Sequence, residues 1–400
     1  MIESCFGDFE FHRMNPPWKI VIKCLAGLDF TFRALQPQKR RTLIMKKVFV
    51  ISLILATMLV FGFANLSAAE ELSLLTWSGY APQVLVEKFQ QETGITVKVT
   101  KSNNEEMIAK LRATRGAGFD LAQPSQDRIA AVQAKYNIYQ PIDMSKVKTD
   151  QIIEPMLEAV KLNTMVNGQP HAVPFCWGTS GLVINKKFAP NASDYSDILN
   201  AMYKGRISYR LKRPTLIALA FAMGENPFAK YSDPMAYKAL MEKVGQAMID
   251  GKDFVKNYWT NGDNLLQSMR SGEVHIAMAW DQGGWKMNVE NPNIDFVAPR
   301  SGALGWIDTF AIPAKAKNVD AAYKWINFML RPENAAVFTN SEKYGTASAG
   351  AVQLLDASVK ANFERCFPLR AIANIKWYPP VPAKLEEIEG RILDKVKAAK

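Results

Sequence analysis

The sequence predicts an α/β protein with two domains, and three observations carry that prediction. Strand-like and helix-like segments alternate from residue 70 onward. Four hundred residues are too many for one small core. One long run of apolar and small residues, Val173–Asn185, has the character of a strand crossing from one domain to the other.

The alternation begins at Leu72–Thr76, a short apolar strand ended by Trp77-Ser78-Gly79-Tyr80. Pro82 suits the start of a helix, and Val84, Leu85, Lys88 and Phe89 follow a 3.6-residue period as far as Thr93-Gly94. Ile95–Thr100 is β-branched and alternating, a second strand. Asn103 caps the next helix, with Glu105 and Glu106 in its first turn, and Gly116–Gly118 ends it. Phe119–Ala122 reads as a third strand and Pro124–Asp127 as the loop after it. This order implies a parallel sheet with right-handed crossovers, whose ligands bind at the carboxyl ends of the strands. Those ends are Trp77–Tyr80 and Ser125–Asp127. Loop packing is the competing explanation for Trp77 and Tyr80.

Beyond Val173–Asn185 we expect a helical stretch over Tyr195–Tyr203, then a buried helix at Thr215–Met223. Helices follow at Asp233–Asp250 and Asn264–Ser271, and a strand, Gly272–Trp280, ends in an indole before a loop at Asp281–Gly284. Asn293–Pro299 is a further strand. It leads into Trp306-Ile307-Asp308, where an indole and a carboxylate two apart face the same side of a strand. A helix capped by Asn318 then runs to Arg331-Pro332. No internal repeat or linker divides residues 70–400, so the second domain is expected to be inserted into the first.

Residues 45–69 read as an export signal: Met45-Lys46-Lys47, an uncharged run Val48–Ala64, and a small-residue site that places cleavage after Ala69. A membrane anchor is the alternative reading of that run. Residues 1–44 read as an upstream mis-start, with a true extension as the alternative. Without residues 1–69 the net charge falls from +11 to about +6, spread thinly along the chain, so nucleic acid is not an expected partner. Cys176 and Cys366 remain, either paired or as separate buried thiols.

For an enzyme the inventory is poor. No metal-binding, phosphate-binding or nucleophile motif occurs, and His275 sits between Val274 and Ile276 as a structural histidine would. What stands out is a set of aromatics and acids: Trp77, Tyr80, Trp280, Trp306, Asp308 and Asp127. Three tryptophans at predicted strand ends, one beside an acid, suggest a cleft for a cation.

The segments L-L-T-W-S-G-Y-A-P, F-D-L-A-Q-P-S, P-F-C-W-G-T-S-G-L-V-I-N, G-E-V-H-I-A-M-A-W, W-I-D-T-F-A-I-P-A-K-A-K-N and Y-G-T-A-S carry a resemblance. In that order, over essentially all of residues 70–400, the chain resembles the spermidine/putrescine-binding family of periplasmic solute-binding proteins of ABC importers. The resemblance implies a two-lobe periplasmic-binding-protein fold with crossing hinge strands and a ligand cleft between the lobes. It implies a lobe of residues 70–174 with 306–345, and another of 175–305 with 346–400. It also implies a monomer without cofactor or catalysis, which hands a small cationic, polyamine-like solute to an inner-membrane permease. Its aromatic box falls on Trp77, Tyr80, Trp280 and Trp306, and its ammonium-binding carboxylate on Asp308. Ser78, Ser125 and Tyr344 join the cleft, and Trp377-Tyr378 lies near a further position.

Two departures bear on the solute. Arg210-Leu211-Lys212-Arg213 stands where the family carries acids, and Asp127 replaces a tyrosine. If a basic residue there faces the cleft, the solute could be zwitterionic or anionic. If all three are solvated, Asp127 is expected to supply the missing acid.

Overall fold

A computed structural model describes residues 70–399, so the export signal, its cleavage site and residues 1–44 lie outside the described residues. The strands run in chain order as β1 Glu71–Thr76, β2 Thr96–Lys101, β3 Leu121–Ala122, β4 Met165–Val166, β5 Gln169–Pro170, β6 Val173–Asn185, β7 Ile207–Tyr209, β8 Val255–Tyr258, β9 Ile276–Trp280, β10 Ile294–Val297, β11 Leu304–Phe310, β12 Gly345–Thr346 and β13 Lys376–Trp377.

The first sheet is parallel, in the order β2-β1-β3, with the helices Gln83–Thr93 and Asn104–Thr114 as its crossovers. The expected Asn103 cap is present: its side chain accepts the Glu106 N–H at 3.1 Å. The second sheet has the order β13-β11-β6-β9-β7-β8, with β10 and β12 added along β6. Its spine is β6, which spans the expected Val173–Asn185 and is buried at every position except the half-buried Trp177.

The two lobes meet along β6 and β11. The start of β6 lies against Asp308–Phe310, while its far end pairs with β9 and β10. Past Asp308 the pairing slips, skipping Phe175, and the chain enters the first sheet through the bridges Ser125–Asp308 and Ala122–Ala311. Pro174, which has no N–H to donate, occupies this irregular stretch. These are the crossing strands of a two-lobe periplasmic-binding-protein fold.

Several elements differ from expectation. Asn318 starts the helix Val319–Leu330 without a side-chain cap. The buried Asp120 carboxylate organises that turn instead, accepting the backbone N–H groups of Lys317 and Asn318 at 3.0 and 2.9 Å. Pro332 ends one helix and opens another, Pro332–Glu342, because a missing N–H costs nothing in a first turn. Asp281–Gly284 is the first turn of a helix, Asp281–Glu290, rather than a loop. Asp281 accepts the Gln282 N–H at 2.8 Å, and Gly284 lies so near Phe296 that a Cβ would come within 2.7 Å of it. Close packing, not a turn, requires that glycine. Tyr195–Tyr203 forms two tight 3-10 turns, and the helix expected at Thr215–Met223 runs over Arg213–Ala222.

Candidate functional site

The junction of the two sheets places Asp308 at the base of the cleft. Its carboxylate is 3 % exposed, with the Ser125 hydroxyl donating to Oδ1 and the Tyr80 phenol to Oδ2, each at 2.5 Å. Asn104 fixes Ser125 from behind, donating from Nδ2 to its hydroxyl at 2.9 Å and accepting its N–H at 3.0 Å. Burial pushes the Asp308 carboxyl up to about 7, against the pull of the Ser125 and Tyr80 hydrogen bonds. Burial also holds the Tyr80 and Tyr344 phenols well above their usual range, so both remain protonated. Asp308 is thus a buried acid that has neutral partners only. A cation would favour its charged form.

All nine residues singled out in the sequence line one cleft of about 530 Å³. Tyr344 meets Tyr80 edge-on at 5.1 Å between ring centroids and Trp306 at 5.8 Å. Trp77, held by its Nε1–H to the Gln123 carbonyl at 3.0 Å, stands edge-on to Trp280 at 6.4 Å. Gly178 makes room for Trp306: a Cβ there would sit 2.5 Å from the indole. Ser78 lies in the same loop as Trp77 and Tyr80, which ends β1.

The basic segment is not solvated as the simpler alternative required, and Asp127 is not a free acid. Arg213 is 7 % exposed and forms ion pairs with Asp127 at 3.3 Å and with Glu389 at 3.1 Å. It also donates to the Tyr231 hydroxyl and lies 4.9 Å from the Tyr378 ring centroid. These carboxylates hold the guanidinium well above its usual range despite burial. Asp127 therefore carries an internal cation and has no charge to spare for a second ammonium. Lys212 pairs with Glu105 at 3.7 Å, and Arg210 lies against Trp259 and Trp280 in the cleft wall.

Three lining residues went unread in the sequence: Asn104, Glu105 and Trp259. Trp259 carried a usable signal, since it directly follows β8 as the other tryptophans end or follow strands. The two cysteines are separate buried thiols. Among the described residues, no group of His, Cys, Asp and Glu is arranged to hold a metal ion.

The family profile of bacterial extracellular solute-binding proteins matches residues 84–365. The spermidine/putrescine-binding periplasmic protein of Escherichia coli K12 is 29% identical over 330 residues, covering 81% of this chain and 90% of that protein. The putrescine-binding periplasmic protein of the same organism is 25% identical over 377 residues, covering 89% and 99%. Among solved structures, a putative spermidine/putrescine ABC transporter protein from Listeria monocytogenes superposes with a TM-score of 0.72 at 24% identity, covering 83% of this chain and all of that one. A binding protein from Agrobacterium tumefaciens B6, solved with glucopine, superposes at 0.68 and 16% identity over 82% and 99%. Both likenesses establish the fold alone.

Proposed function

This chain belongs to the bacterial extracellular solute-binding protein family, and on that premise we propose that it is the periplasmic receptor of an ABC importer for a polyamine-like solute with an ammonium end, putrescine- or spermidine-like. The observation that carries this is Asp308, a buried carboxylate in an aromatic cleft with only neutral hydroxyls for partners. An ammonium on Asp308 makes a charge-assisted hydrogen bond of about 1.5–3 kcal/mol. Each aromatic face beside it adds on the order of 0.5–2 kcal/mol. The names of the relatives point to the same solute class. Closure of the lobe formed by residues 70–174 and 306–345 on the lobe formed by 175–305 and 346–400 presents the loaded receptor to its permease. Export uses the segment 45–69, cut after Ala69, and the receptor acts as a monomer.

The reading is tested by calorimetric titration of the purified protein with putrescine, spermidine, simple monoamines, α-amino acids and a phosphonate. Saturable binding of at least one amine is expected, with loss in Asp308→Asn. Silence toward every amine, or binding untouched by Asp308→Asn, removes it.

A further inference from the structure

A second unpaired charge in the cleft deepens the amine reading, on which the following rests. Most buried or half-buried charges around the cleft are already matched: Arg213 by Asp127 and Glu389, Arg128 by Glu386, Lys286 by Glu342. Two are not. One is Asp308. The other is Arg210, which enters no ion pair among the described residues. Its guanidinium lies 5.3 Å from the Trp259 ring centroid and 5.4 Å from that of Trp280, and its buried Nε–H has no hydrogen-bond partner.

A guanidinium keeps its charge even when desolvated, and its planar fork of N–H donors matches a carboxylate in shape. Two indoles hold Arg210 in place through attraction for its charge, but they cannot accept its in-plane hydrogen bonds. The unmatched acid and the unmatched base therefore form a dipolar pair awaiting a ligand of the opposite arrangement. A second ammonium at the Arg210 end would face a like charge in a partly desolvated wall.

The sheet also sets their separation. Asp308 lies on β11, and Arg210 directly follows β7, three strands away through β6 and β9. At about 4.8 Å per strand, that places their backbones on the order of 14 Å apart across the sheet. An α-amino acid carries its two charges on neighbouring atoms and cannot serve both ends. An extended chain can.

We propose that the solute is a linear ω-amino carboxylate, with its ammonium on Asp308, its methylene chain along Trp306, Trp77 and Trp280, and its carboxylate in the fork of Arg210.

The test is calorimetry with three straight-chain series of four, six and eight carbons: ω-amino carboxylates, diamines and monoamines. At least one amino carboxylate should bind about ten- to a hundredfold tighter than the diamine and the monoamine of equal length, as one charge-assisted hydrogen bond or a bidentate pair provides. In Arg210→Met that ratio should fall close to one, and Arg210→Lys, which keeps the charge but loses the fork, should restore part of it. Circular-dichroism melting confirms that each variant is folded. Diamines binding as tightly as amino carboxylates, or a ratio that survives Arg210→Met, overturns this inference alone. Silence toward all three series overturns the amine reading and this inference with it.

Discussion

Lowering the pH should weaken amine binding in a way set by one side chain. In the ligand-free protein the Asp308 carboxyl is pushed up to about 7 by burial. An ammonium beside it favours the carboxylate, so binding below that value must first expel a proton. Affinity should therefore fall about tenfold for each pH unit below 7 and level off above about pH 8. At about pH 5 roughly one carboxyl in a hundred is ionised, which predicts binding nearly a hundredfold weaker than at the plateau. Calorimetry in buffers of different ionisation enthalpy reads the proton directly. Close to one proton should be released per amine at about pH 5, about half at pH 7 and almost none at pH 9. Asp281 is also pushed up to about 7 by burial, but it is engaged by the Thr179 N–H and hydroxyl, so Asp281→Asn should retain the slope. Affinity that stays flat from pH 5 to 8 without proton release would refute the reasoning.

Three further outcomes follow from the same geometry. Arg213→Met strands two buried carboxylates, Asp127 and Glu389, and should destabilise the protein by about 3–5 kcal/mol in chemical denaturation at neutral pH. That loss should shrink in acid as the stranded groups protonate, and a change below about 1 kcal/mol would show that the network is not a buried one. Gly178→Ala drives a methyl into the Trp306 indole and should cost about 1–3 kcal/mol in stability, with amine affinity reduced alongside. Asp308 also links stability to pH: its folded value lies above that of an unfolded aspartate, so its contribution is full below about pH 4 and lost as pH rises through about 7. Asp308→Asn should accordingly raise the melting temperature of the ligand-free protein above pH 7 relative to its value near pH 4.

The lobe architecture was legible because it depends on local patterns. Alternating strands and helices mark the first sheet, and the unbroken small-apolar run of Val173–Asn185 marks its crossing strand. Trp306 and Asp308 could be placed on one face from the two-residue period alone, and their partners were named through the strand ends. What stayed hidden depends on contacts far apart in sequence. Arg213 reads as surface-like beside Lys212, yet Glu389, 176 residues away, makes it a buried cation and occupies Asp127 through it. Asn318 looks like a cap because nothing local reveals that Asp120, 198 residues earlier, takes its N–H. The glycines of Asp281–Gly284 suggest a turn, because Phe296, which requires their lack of side chains, belongs to another element. Charge type could be read from the sequence; charge pairing could not.

The most direct measurement is a crystal structure of the protein with its tightest-binding amine. Asp308 as the ammonium acceptor predicts the amine nitrogen at about 2.7–2.9 Å from one of its carboxylate oxygens, with Ser125 and Tyr80 still donating to the same group. An amine seated elsewhere in the cleft, with Asp308 bonded only to those two hydroxyls, would contradict the account.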